Sequence, residues 1–74
     1  MEKPELNDSG KYALWWLGQE KMVNLNAQNS WLEDFDVLVD CGYAKREVFE
    51  SRNRVYTITK AGDQRATEEF GGNL

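Results

Sequence analysis

The chain has 74 residues, 9 of them basic and 13 acidic, for a net charge of −4. That length allows one domain with a small core, and the negative balance argues against unselective attraction to nucleic acid or an anionic membrane. With no His and a lone Cys41, the chain has neither a zinc-type ligand set nor an internal disulfide, which fits a reducing, cytoplasmic setting.

Residues 1–7 read as a flexible N-terminal arm, polar and unlike a signal peptide. Asp8 or Ser9 can cap a first helix, since either side chain can accept from free amides one turn on. That helix is predicted from about Lys11 to Gln19, with Tyr12, Trp15 and Trp16 covering much of one side and Gly18 as a terminator or weak point. Adjacent tryptophans on a helix point about 100° apart, so both cannot be fully buried in so small a core, and at least one is expected near the surface. Residues 20–29 carry Met22, Val23 and Leu25 without a clear period, and a short strand, one helical turn or a loop all fit.

From residue 30 the pattern sharpens. Ser30 followed by Glu33 is a capping-box spacing. Trp31, Leu32, Phe35, Leu38 and Val39 then recur on one side of an α-helix running from Ser30 to Cys41, with Gly42 placed for a left-handed cap. Two strand-like runs follow, 43–49 and 55–59, with residues 50–54 between them and Asn53 suited to turn geometry, so a hairpin is expected. Thr59 caps a last helix in which Gly62, Ala66 and Phe70 share a face, two of them small enough for close approach to the core. Residues 71–74 read as a frayed tail, leaving 8–70 as a single domain. No apolar run approaches the ~20 residues that span a bilayer.

The order helix, link, amphipathic helix ending at Leu38–Gly42, hairpin, "VYTITKAG" (55–62) and helix resembles the winged-helix domains of bacterial regulators. The likeness covers about Leu32 to Ala66. It implies an α+β winged-helix-like domain of two or three helices, a two-stranded wing hairpin and a C-terminal helix packed back on the first. The family normally places the two helices of a helix-turn-helix before the hairpin, and only residues 20–29 separate the first predicted helix from the one starting near Ser30, so the family's second helix must be very short or absent. The resemblance also implies that the helix before the hairpin enters a DNA groove while a basic wing tip touches the backbone.

The charges divide along the chain. Residues 30–40 hold Glu33, Asp34, Asp36 and Asp40 and no basic residue, net −4, whereas 43–60 hold Lys45, Arg46, Arg52, Arg54 and Lys60 against Glu47 and Glu50, net +3. Four carboxylates on the implied groove helix oppose phosphates, and no Arg, Lys, Asn or Gln lies inside it to read a guanine or adenine. Glu33 and Asp34 also suit a helix N-terminus, where they complement the dipole; Asp36 and Asp40 lie beyond its reach.

Two functions follow from this partition. The first is a non-enzymatic recognition module, an adaptor or inhibitor of phage or mobile-element type. Its acidic helix (Glu33, Asp34, Asp36, Asp40) faces a basic protein, with Trp31 as anchor. The alternative, which is what the resemblance alone implies, is a DNA-binding transcriptional regulator, monomeric or homodimeric, holding phosphates through Lys45, Arg46, Arg52, Arg54 and Lys60. Against this, Arg52 and Arg54 also read as solvated turn residues paired with Glu47 or Glu50, and the tryptophans as core alone. No catalytic residue, cofactor or metal is called: no Ser or Cys has a partner base, no glycine loop cradles phosphate, and Glu33, Asp34 and Asp36 lack calcium-loop spacing.

Overall fold

The computed structural model describes residues 6–71. It is an α+β fold with three helices and one three-stranded antiparallel sheet. In chain order the elements are α1 (Asp8–Glu20), β1 (Met22–Asn26), α2 (Leu32–Asp40), β2 (Ala44–Phe49), β3 (Asn53–Ile58) and α3 (Lys60–Phe70). The sheet order is β1-β3-β2. β3 pairs Tyr56 with Val23 on one side and Arg46 on the other.

α1 begins earlier than its sequence signals indicate. The cap is Asn7, whose Oδ1 accepts from the Gly10 amide at 2.7 Å, so Asp8 and Ser9 already lie inside the helix. Leu6, inside the expected arm, joins the core; residues 1–5 of that arm and 72–74 of the expected tail lie outside the described residues. Gly18 is buried inside α1 rather than ending it, and Lys21 closes the helix in the left-handed region, φ 67°.

β1 settles the ambiguous link as a strand. Val23 and Leu25 face inward while Met22, Asn24 and Asn26 face out, the period-2 pattern of a strand with one solvated face. Two asparagines then shape the connection to α2. Asn26 Oδ1 accepts from the Gln28 amide and Asn29 Oδ1 accepts from the Trp31 amide, side-chain turns that compete with helix in a short polar stretch. The expected Ser30–Glu33 capping box does not form. Trp31 is the N-cap and makes no side-chain cap bond, Ser30 lies exposed in the preceding turn, and the helix runs Leu32–Asp40 rather than Ser30–Cys41.

The C-terminus of α2 follows its sequence. Gly42 sits at φ 82°, its amide donates to Val39 O, and the Tyr43 amide donates to Leu38 O at 2.8 Å. This paired bonding satisfies the last free carbonyls of the helix. In the hairpin the left-handed residues are Glu50 and Ser51, φ 54° and 58°, the mirror-image turn that matches strand twist. Asn53, expected in the turn, instead opens β3 and pairs with Phe49.

The core lies between the helices and the inner sheet face. Ala13, Leu14 and Leu17 of α1 meet Phe35 and Leu38 of α2, Val23 and Leu25 of β1, Tyr56 of β3 and Ala66 of α3. α3 packs on α1 and starts hard against the Gly42–Tyr43 link. A Cβ on Gly62 would overlap the Tyr43 carbonyl oxygen, so only glycine permits that approach.

Candidate interaction surface

At about 100° per residue, Glu33, Asp36, Val37 and Asp40 share the outer arc of α2. Glu33 and Asp40 are exposed, and Val37 between them is 41% exposed. Asp34 is half-buried beside this arc. Among the described residues no ion pair engages Glu33, Asp34 or Asp40.

Asp36 is different. Its Oδ1 accepts from Tyr56 Oη at 2.6 Å and from Arg46 Nη1 at 2.9 Å, tying α2 to β2 and β3. The bond to Asp36 is also what raises the Arg46 guanidinium above its ordinary value. Burial first, and then the same carboxylate, push the Tyr56 hydroxyl well above the usual phenol range, so it stays a donor. Asp36 therefore holds the helix to the sheet, and the unpaired anionic arc reduces to Glu33, Asp40 and the neighbouring Asp34.

The five basic candidates do not converge. Lys45 and Arg46 are consecutive in β2 and so point to opposite sheet faces. Lys45 is exposed beside Thr57, and Arg46 is on Asp36. Arg52 lies exposed in the turn, where its backbone carbonyl accepts from the Ala27 amide. Arg54 is half-buried opposite Leu25 and Val48, and its Nη1 is enclosed without a hydrogen-bond partner. Lys60 is exposed at the start of α3. Neither Arg52 nor Arg54 pairs with Glu47 or Glu50 among the described residues.

An aromatic line runs from the surface into the core. Trp15 stacks on Tyr12 (5.8 Å between centroids) and Tyr12 tilts on Trp31 (5.1 Å). Trp31 meets Trp16 edge-on at 6.4 Å, Trp16 meets Phe35 at 5.3 Å, and Phe35 meets Tyr56 at 5.2 Å. Trp15 is the tryptophan expected near the surface, Trp16 and Trp31 are half-buried, and Trp31 is as much a support for Tyr12 as an anchor of its own.

One residue was missed in the sequence. Arg65 is buried, donates from Nη1 to Tyr43 Oη at 2.9 Å, pairs with Glu69 and lies over the Tyr43 ring. Burial opposes its charge, but the bonds to Glu69 and Tyr43 outweigh that and hold it above the ordinary guanidinium value. Its position one turn from Glu69 was the only available signal.

Two open clefts mark the surface. One of about 210 Å³ between Tyr43 and α3 is lined by Ala61, Gln64, Arg65 and Glu68, and one of about 360 Å³ beside the hairpin turn is lined by Asn26, Ala27, Gln28, Ser51 and Arg52. Among the described residues no cluster of His, Cys, Asp or Glu could hold a metal ion, and no helix is long and apolar enough to cross a membrane. No protein-family model matches the chain, and no curated protein matches it either.

Proposed function

We propose that this chain is a non-enzymatic recognition module of winged-helix type, an adaptor or inhibitor that presents α2 to a basic surface on a protein partner. The observation that carries it is the outer arc of α2, where Glu33 and Asp40 stand exposed on either side of Val37 with no basic side chain among the described residues paired to them. Carboxylates left unpaired on a rigid helix steer a cationic partner at encounter and set its orientation. Between β1 and the hairpin stands the single helix α2 where a helix-turn-helix has two, which supports a trimmed winged-helix reading, and its acidity turns it from DNA toward protein.

The regulator reading has one feature in its favour, the exposed Arg52 at the hairpin tip next to Arg54 with its unpartnered Nη1. Both readings are tested together. Generic duplex DNA is titrated at low salt, and host proteins are captured on the immobilised chain. Under the proposal DNA does not bind, and a specific basic protein is captured by the native chain and by Arg52→Ala/Arg54→Ala but not by Glu33→Lys/Asp40→Lys. Micromolar DNA binding with a steep salt slope, lost in the Arg52/Arg54 variant, would establish the regulator instead.

A further inference from the structure

The outside of α1 carries a second feature, and the partner it fits follows from its chemistry. Tyr12 is 50% exposed and Trp15 39% exposed, and their rings stack with only 24° between planes. Tyr12 is held in turn by Trp31, which lies against it and is itself braced by Trp16. The shelf is thus set before binding, which lowers the cost of ordering it.

Two carboxylates stand one helical turn from residues of this shelf. Asp8 lies one turn before Tyr12 on the same stripe of α1, and Asp34 lies one turn after Trp31 on α2. Neither is in an ion pair among the described residues. Lys11 lies one turn before Trp15 but makes no cation–π contact with the shelf, the one such contact among the described residues being Arg65 over Tyr43. Electron-rich ring faces with these carboxylates one helical turn away match a cation that is also flat.

We infer that the Tyr12–Trp15–Trp31 shelf takes an arginine side chain from an exposed basic segment of the protein partner. Its guanidinium stacks on the rings and donates to Asp8 or Asp34. This rests on the reading that the partner is basic, and it names the anchoring group. Arginine fits better than lysine because its guanidinium is planar, weakly hydrated and forked, and so can stack and donate together. A stacked nucleobase would bring its phosphate toward the same carboxylates, which disfavours it.

The test uses the whole chain, isotope-labelled, titrated with a short peptide of alternating Gly and Arg and with its Gly–Lys counterpart. Indole N–H signals and tryptophan fluorescence are the readouts. The Arg peptide is expected to move the Trp15 and Trp31 indole signals and to bind about threefold or more tighter than the Lys peptide. Trp15→Ala, and Trp15→Leu as a variant that keeps an apolar helix former, should abolish that preference with the helical circular dichroism intact. Equal binding of the two peptides, or a preference that survives both Trp15 variants, overturns the inference. So does a single-stranded oligonucleotide moving the same indoles, or concentration-dependent self-association that covers them. Glu33→Lys/Asp40→Lys separates the two proposals. If it abolishes capture of the partner while Trp15→Leu does not, the acidic arc stands and the shelf falls. If only Trp15→Leu abolishes capture, the shelf stands and the acidic arc falls.

Discussion

Replacing Tyr56 by Phe removes a single oxygen from the point where α2, β2 and β3 meet. The ring is fully buried and its hydroxyl donates to Asp36 Oδ1 at 2.6 Å, the length of a bond assisted by charge. A hydrogen bond to a charged group contributes about 1.5–3 kcal/mol. The Asp36 side chain is 41% exposed and keeps Arg46, so water can replace the lost donor and the lower end applies. The expected loss is about 1.5 kcal/mol, from a total of about 4–11 kcal/mol for a chain of this length. At about 4–8 °C per kcal/mol the melting temperature should fall by roughly 6–12 °C. The pH dependence adds a sign. Folding raises the hydroxyl above its ordinary value of 10.0, so its contribution is complete below about pH 10 and is lost as pH climbs toward the higher folded value. Urea unfolding of both proteins at pH 7 and pH 11 measures this: the native chain should lead Tyr56→Phe at pH 7, with the gap narrowing at pH 11. Equal stability at pH 7, or a gap that widens with pH, would refute the placement of Asp36 as an internal tie.

Three further outcomes follow from local geometry. Gly62→Ala forces the start of α3 away from the Tyr43 carbonyl and from Ile58 Cγ1, 2.9 Å from the new Cβ, and disturbs the Thr59 cap on the Gly62 amide. About 3 kcal/mol or more should be lost in denaturant titration, and a loss below 1 kcal/mol would contradict the close approach. Asn7→Ala removes the α1 cap and should cost about 1 kcal/mol, whereas Ser9→Ala should cost under 0.5 kcal/mol, a ranking that thermal melts can read. Burial, and then Asp40, raise the Cys41 thiol, so at pH 7.5 a disulfide reagent should modify the folded chain several-fold more slowly than the urea-unfolded chain, with Asp40→Asn speeding the folded rate. Equal rates in the folded and unfolded chain would place Cys41 in an unshielded setting.

Where a local pattern had a single physical solution, the sequence read correctly. The apolar recurrence from Trp31 to Val39 could only be one face of a helix, Gly42 took the left-handed cap, and the β-branched and aromatic run at 55–58 formed a strand. Thr59 capped α3 by its own hydroxyl. Errors clustered where two local signals competed. Asn7 outbid Asp8 and Ser9 as a cap, and Asn29 closed a turn on Trp31 that displaced the Ser30–Glu33 box. The β1 alternation was present in Met22–Asn26 but lay hidden behind an apolar Met22 on the outer face and two asparagines of low strand propensity.

Composition and spacing alone determined that this is a small acidic α+β domain with its negative charge gathered on one helix and its positive charge on the hairpin, because charge and periodicity are properties of the chain before it folds. Only tertiary structure decided which of those charges face outward. Asp36 and Arg46 are ten residues apart and Tyr56 twenty from Asp36; they meet because β3 is the central strand, an arrangement no local spacing encodes. The same packing left Trp15 exposed and Trp16 half-buried, since the two side chains leave the helix about 100° apart and the core covers only part of its surface.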